Sequence, residues 1–360
     1  MTKRIGIATG GGDCPGLNAV IRAVAKAAAK RGWDALGILG GYEGLLEPRR
    51  ILPLDYNALS GLLVRGGTIL GTANRGKFSA KVGHGETRRL PAELLDDTKR
   101  GMDALGISAL VTIGGDGSLS IAQQMHEHGI PLVGVPKTID NDLECTLMTF
   151  GFDSAVSCAT DALDRLHTTA ESHNRVMVLE VMGRYAGWIA LYSGVAGGAD
   201  VILIPEIPFT FDSICAKIRE REGQGKKFTL ITVAEGAREK GADFTTSAGQ
   251  EANREARLGG IGARVGAEVE KRTGKETRTC VLGHLQRGGC PTTFDRVLCT
   301  MFGATAVDLI AAGEFGTMVA FTGAGVTAVK ISDAVGRLKT VPPDGNLART
   351  ARSLGISLGD

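Results

Sequence analysis

The sequence predicts an α/β protein on mostly parallel sheets, with enough chain for two lobes. Three observations carry this. Short apolar runs ending in glycine or proline alternate with helical stretches, the pattern of a parallel sheet covered on both faces. The chain has 360 residues, long for a single hydrophobic core. Glycine is in excess, at 52 residues, as tight turns and close backbone approaches to a ligand require.

The elements follow in order. Strands are predicted at Arg4–Thr9, Ala35–Leu39, Ala109–Ile113, Leu132–Val135, Val176–Val181, Val201–Ile204, Phe228–Ala234, Thr279–Leu282 and Met318–Thr322. Helices are predicted at Leu17–Arg31, Leu94–Leu105, Leu119–His128, Ala155–Ala170, Trp188–Val195, Phe211–Glu222, Ile261–Thr273 and Thr293–Ala312. Lys240–Arg257 is polar and glycine-bearing and reads as an exposed loop. The tail after Lys330 is weakly patterned. In such sheets ligands bind outside the carboxyl ends of the strands, so the turns there are the place to look.

Composition excludes several classes. Hydrophobic residues are 43% and charged residues 22%, an ordinary globular balance, and the formal net charge is +2. Nothing in that charge points to a nucleic acid, so an anion site must come from local arrangement. The seven cysteines are scattered without a CxxC pair, so neither a disulfide framework nor a zinc site is indicated. No apolar run is long enough to span a bilayer, and the first residues lack the core of a signal peptide, so no membrane partner and a cytoplasmic location are expected.

Three turns carry candidate chemistry. Gly10-Gly11-Gly12-Asp13-Cys14-Pro15-Gly16 lies between the first strand and the first helix, where backbone N–H groups can approach an anion at a positive helix end. It is neither GxGxxG nor a Walker A loop, and alone it reads equally as a tight turn. Gly114-Gly115-Asp116-Gly117-Ser118 follows a buried strand. Glycine at 117 leaves room for a phosphate chain, Asp116 suits magnesium, and Ser118 also reads as a helix cap. Pro136-Lys137-Thr138-Ile139-Asp140-Asn141-Asp142 follows another strand. In an extended segment Thr138, Asp140 and Asp142 share one side, and an Asp near a substrate hydroxyl can accept its proton during phosphoryl transfer. Its plain alternative is an Asx-turn with solvated carboxylates. Arg175, Arg184 and Arg287 add forked cations suited to phosphate monoesters, although a single exposed arginine is usually only a solvated charge.

Taken together these segments resemble the phosphofructokinase family. The matching blocks are GGDCPGLNAVIR (11–22), GGTILGT (66–72), GGDGS (114–118), PKTIDND (136–142), MGRYAGW (182–188), PEIPF (205–209), AEGA (234–237) and LGHLQRGG (282–289), in the family's order. The resemblance implies a phosphofructokinase-like fold of two similar-handed α/β lobes. Residues 1–151 and 286–335 would form a nucleotide-binding lobe, and 152–285 and 336–360 a sugar-phosphate-binding lobe. It implies transfer of a phosphoryl group to the 1-hydroxyl of fructose 6-phosphate, a step of glycolysis. Asp140 matches the family's base, with Thr138 and Asp142 its partners in positioning phosphate and metal, and Asp116 the aspartate of Mg2+. Gly12 and Gly115–Ser118 match nucleotide phosphate contacts, with Arg75 expected to substitute for a nucleotide-contacting arginine of the family one residue earlier. Arg184 matches a transition-state stabiliser, and Ile139, Met182, Gly183, Glu235, His284, Leu285 and Gln286 line the sugar site. Arg175, Arg278 and Arg287 match the 6-phosphate clamp, the first two reaching in from a neighbouring subunit, which implies a homo-oligomer, a tetramer in the family.

The phosphoryl donor turns on two positions. Gly117 is the residue of ATP users, whereas Lys137 is that of pyrophosphate users; the mixed pair resembles an ATP-using subgroup, so ATP is expected and pyrophosphate is the alternative. A related lipid or NAD kinase also carries GGDG but lacks the MGR and GHLQRGG blocks. A non-catalytic subunit would have lost one of Asp116, Asp140 and Asp142, all present here. The sequence departs from the family at Asn74, where an arginine is expected one residue before Arg75. It departs again in the effector pocket: Arg22 and Lys26 are kept, Tyr56 and His167 stand at arginine positions, and Asp200 replaces a glutamate.

Overall fold

The structure, a computed structural model, describes residues 3–55, 59–72, 76–78, 89–245 and 259–360. The elements run β1 (Arg4–Thr9), α1 (Leu17–Lys30), β2 (Asp34–Ile38), β3 (Ile51–Pro53), α2 (Ala92–Leu105), β4 (Ile107–Gly114), α3 (Asp116–Glu127), β5 (Leu132–Pro136) and α4 (Phe152–His173). Then come β6 (Val176–Val181), α5 (Trp188–Ala196), β7 (Val201–Leu203), α6 (Phe211–Gly223), β8 (Thr229–Ala234), α7 (Ile261–Thr273) and β9 (Thr277–Val281). The chain finishes with α8 (Thr293–Ala312), β10 (Thr317–Phe321), β11 (Val326–Lys330), α9 (Ile331–Ala334) and α10 (Asn346–Ser353).

It divides into two compact units, Met1–Ser154 with Arg287–Leu338, and Ala155–Gln286 with Lys339–Asp360. Unit 1 holds a seven-stranded sheet in the order β11-β10-β5-β4-β1-β2-β3. Its five central strands are parallel, while β3 and β11 run antiparallel at the two edges. Unit 2 holds a four-stranded sheet, β7-β8-β6-β9, parallel throughout. The central strands are buried along their length, as strands covered on both faces must be.

The α/β reading holds, and the predicted strands and helices are present to within a few residues. The elements not foreseen are short or half exposed: β3 has three residues, β11 buries none fully, and α10 buries only Ala348 and Ala351. Such segments carry too short an apolar stripe to announce themselves. Helices α2, α3 and α4 begin two or three residues early, and in α3 this changes a reading. Helix α3 starts at Asp116 rather than Leu119, so Ser118 lies inside its first turn and Gly115 is the N-cap. The reading of Ser118 as a cap is therefore corrected. Among the described residues no helix is long and apolar enough to cross a membrane.

Candidate active site

In unit 1 the chain leaves β1 for β2 on one side and pairs β1 with β4 on the other, a reversal of direction that opens a crevice at the carboxyl ends. Three turns meet along this edge. Gly10 N donates to Ile113 O (2.9 Å), and Lys137 N to Gly114 O (3.0 Å), so the turns after β1, β4 and β5 are stitched side by side. Helices α1 and α3 both begin on glycine, Gly16 and Gly115, which has no side chain to accept their first amide protons. A helix start of this kind presents its backbone dipole to an anion. Gly16 is in the left-handed region (φ 110°), and a Cβ on it would lie 2.7 Å from Cys299 Sγ and 2.8 Å from Phe150, so no other residue fits there.

The first turn is held by its carbonyl groups. Thr72 Oγ1 donates to Gly11 O (2.5 Å), Lys137 Nζ to Gly12 O (2.5 Å) and Arg287 Nη1 to Asp13 O (3.1 Å). Three consecutive carbonyl groups are thus taken by side chains from three distant segments. Lys137 is buried, and that burial lowers its pKa. Ser118 Oγ faces the same turn: a Cβ on Gly10 would lie 2.5 Å from it.

The turn bearing Asp140 is equally determined. Asp140 N donates to Thr138 Oγ1 (3.1 Å). Asn141 has φ 50°, uncommon for a residue with a side chain, and that side chain is fully employed: Oδ1 accepts from Thr149 N (3.0 Å) and Nδ2 donates to Leu147 O (3.3 Å). Thr149 Oγ1 donates to Thr138 O (2.7 Å), and Lys137 and Phe150 form a parallel bridge. Asp140, Asp142 and Thr138 are half buried, Ile139 is buried, and Asp116 is half buried with Oδ1 accepting from Gly336 N (3.0 Å). Behind this edge Asp295 is buried, and desolvation pushes its carboxyl up to about 6 against the pull of its hydrogen bonds to Ser154 and Gly151.

Unit 2 gathers a second set at the carboxyl ends of β6 and β8. Glu235 N donates to Val181 O (2.8 Å), Gly236 N to Gly183 O (3.1 Å), and Met182 N to the buried Gln286 Oε1 (2.8 Å). A Cβ on Gly236 would collide with Arg184 O, so the turns after β6 and β8 are in direct contact. Met182, Gly183, Arg184, Glu235 and Gln286 therefore lie together, with His284 and Leu285 exposed beside Gln286 in the chain. Glu206 of the PEIPF block, given no role by the sequence, accepts from Gly187 N with both oxygens (3.0 and 3.1 Å) and from Val341 N (2.7 Å). Burial raises its pKa. It holds the end of the turn that carries Arg184.

Arg175 and Arg278 are elsewhere. Both pair with Glu276, Arg175 at 2.7 Å, at the amino ends of β6 and β9. Arg278 is the cross-strand partner of Met177, so the length of β6, about 20 Å, separates these arginines from Met182 within the unit. Arg287 belongs to unit 1, against the glycine turn.

The sequence profile of the family described as phosphofructokinase matches residues 4–310. The chain belongs to the phosphofructokinase family. A protein of Chloroflexus aggregans named ATP-dependent 6-phosphofructokinase is 52% identical over 358 residues, covering 99% of this chain and 98% of that one. One of Amycolatopsis mediterranei named pyrophosphate–fructose 6-phosphate 1-phosphotransferase is 49% identical over 341 residues, covering 94% and 96%. Among solved structures, phosphofructokinase from Saccharomyces cerevisiae is 30% identical with a TM-score of 0.79. It covers 92% of this chain and 45% of the yeast chain, so this chain spans less than half of the yeast protein's length.

Against the phosphofructokinase pattern, Arg75, Asn74 and Tyr56 lie outside the described residues. Asp200, which the resemblance sets in the place of an effector glutamate, is engaged within its own unit. It pairs with Arg221 (2.5 Å) and accepts from Leu230 N (2.9 Å), while His167 stacks edge-on against Phe228 (5.0 Å). Sequence reading missed Thr72, Asp295 and Glu206. Thr72 and Glu206 stand in blocks the family resemblance had picked out; Asp295 does not.

Proposed function

We propose that the chain catalyses transfer of the γ-phosphoryl group of ATP to the 1-hydroxyl of fructose 6-phosphate, giving fructose 1,6-bisphosphate and ADP. The observation that carries this is the stitching of the turns Gly10–Gly16, Gly114–Ser118 and Lys137–Asp142 along one sheet edge. It gives a phosphate cradle and a carboxylate at a single edge. Asp140 accepts the proton of the 1-hydroxyl as the oxygen attacks phosphorus, and Thr138 and Asp142 orient the transferred group. Gly12, Gly115, Gly117 and Ser118 receive the donor phosphates, with Arg75 assigned to the nucleotide by resemblance. Arg184 neutralises charge developing in the transition state. Ile139, Met182, Gly183, Glu235, His284, Leu285 and Gln286 bind the sugar, and Arg175, Arg278 and Arg287 its 6-phosphate.

Asp116, a half-buried carboxylate just past the end of β4, is the kind of donor magnesium takes. That ion takes one or two carboxylates and completes its shell with phosphate oxygens and water. Asp116 would hold it, and the ion would neutralise charge on the phosphates.

Two observations support ATP. The relative at 52% identity is named for it, and the Lys137 ammonium is committed to Gly12 O, which makes it a strut of the glycine turn. The pyrophosphate reading rests on the identity of Lys137 and on the Amycolatopsis relative. Side-by-side assays with magnesium and either donor decide between them: turnover with ATP is expected, and turnover with pyrophosphate alone overturns the assignment. Gly117→Asp is expected to lower kcat/KM for ATP by roughly 10²-fold, since like charges brought together cost several kcal/mol.

Shared sites in a homo-oligomer, a tetramer by family resemblance, are supported by Arg175 and Arg278. They stand at the amino ends of β6 and β9, away from the turns that carry Met182 and Glu235, and Arg278 is exposed on the edge strand β9. A cytoplasmic location follows from the glycolytic role.

A further inference from the structure

We propose that Asp295 is a positioning residue for the proton-accepting turn, acting from a buried node at the start of α4. This rests on Asp140 being the proton acceptor.

Asp295 lies in the first turn of α8 and is 0% exposed. Its Oδ1 accepts from Gly151 N (3.0 Å), and its Oδ2 from Ser154 N (2.9 Å) and Ser154 Oγ (2.6 Å). The Ser154 hydroxyl proton is thereby used, so Ser154 Oγ is the acceptor for Thr292 N (3.0 Å). Each helix start caps the other. A buried helix start needs such acceptors, because water cannot reach its first amides.

The node lies next to the turn along the backbone. Gly151 follows Phe150, which bridges Lys137, and Thr149, whose N–H and hydroxyl bond Asn141 and Thr138. Those two residues flank Ile139 and Asp140. Asn141 sits in a sparsely populated conformation, which persists only when its surroundings over-determine it. The surroundings are residues 147–150, and Asp295 fixes their downstream end. The same segment backs the glycine turn: Cys14 Sγ donates to Phe150 O (3.8 Å), and a Cβ on Gly151 would lie 2.6 Å from Cys14 Sγ.

Three variants test this at saturating and limiting substrate, beside Asp140→Asn. Asp295→Asn keeps the shape but sets an NH2 group against N–H donors. It is expected to lower kcat about 10- to 100-fold, the cost of slight misplacement of a catalytic group, with KM for both substrates held within about twofold. Thr149→Val, which cuts the link to Thr138 O without touching Asp295, is expected to give the same split. The double variant should lose little more than the worse single one, since residues on one path are not additive. Near-normal kcat in a folded Asp295→Asn enzyme overturns the proposal, and so does additivity or a parallel rise in KM. If Asp295→Asn does not fold, Ser154→Ala and Thr149→Val carry the test, and unchanged kcat in both overturns it. A wild type without turnover, or an Asp140→Asn enzyme at full rate, would overturn the underlying reading. Loss in Asp140→Asn with none in Asp295→Asn removes only this inference.

Discussion

The sheets of the two units end differently. In unit 1 both outer strands, β3 and β11, run antiparallel to their neighbours and finish a parallel core. Among the described residues the unit 2 sheet stops at β9, a parallel strand whose Arg278, Thr279 and Val281 are exposed. An unpaired edge of that kind is a ready surface for another chain, and soluble proteins usually blunt or cover it. The candidate residues differ in the same sense. Unit 1 holds its cradle and its carboxylates along one edge of one sheet. Unit 2 gathers its sugar-binding candidates at the carboxyl ends of β6 and β8 but keeps Arg175 and Arg278 at the opposite ends. One unit is furnished from within, and the other has two of its candidate phosphate-binding cations at the far ends of its strands from its own cluster.

Three experiments break or sharpen that contrast. The largest effect is expected for Asp140→Asn. Loss of a positioned base should cost roughly 10²–10⁴-fold in kcat while binding of fructose 6-phosphate persists, as measured by steady-state kinetics and calorimetry. Near-normal kcat would mean that unit 1 is not furnished as described. Next comes complementation: Arg175→Ala chains mixed with Asp140→Asn chains should regain a fraction of wild-type activity, because a hybrid assembly can join an intact clamp to an intact base. No recovery despite proven subunit exchange would place the clamp within one chain. The smallest effect concerns regulation. Asp200 is already occupied by Arg221, and burial raises its pKa, so its carboxylate is poorly placed to serve a ligand. Titration of fructose 6-phosphate at fixed ATP should shift less than about twofold with ADP, as expected where His and Tyr stand in place of guanidinium forks. A large leftward shift abolished by Arg22→Ala would show an intact effector pocket.

Much of this was legible in the sequence because parallel strands buried on both faces appear as unbroken apolar runs, and their carboxyl-end turns carry glycine and aspartate clusters. Arg4–Thr9 into Gly10–Gly16 is one instance; Leu132–Pro136 into Lys137–Asp142 is another. What stayed hidden were the long-range partners. Lys137 stands out in the sequence as a lysine in the turn after a buried strand, but not as the donor to a carbonyl 125 residues earlier. Asp295 read as an ordinary residue in the first turn of a helix, because its partners are amides and a hydroxyl 141 to 144 residues away. For Ser118 the sequence offers a helix cap as the plain alternative to a phosphate contact, because local capping is the common rule; the earlier helix start sets it facing Gly10 instead. Arg175 and Arg278 were assigned to a neighbouring subunit by resemblance, and only the strand register reveals how far they stand from Met182.

The other edge of the unit 2 sheet is closed by the chain's last described residues. Ser357 pairs in parallel with Val201, Ile202 N donates to Ser357 O (2.9 Å), and Thr210 N to Gly359 O (2.8 Å), with Leu358 buried. Residues 356–360 therefore serve as a hem stitched along β7. Trimming them would leave the backbone of Ile202 and Thr210 without those acceptors and turn a sheet with one open margin into a sheet with two.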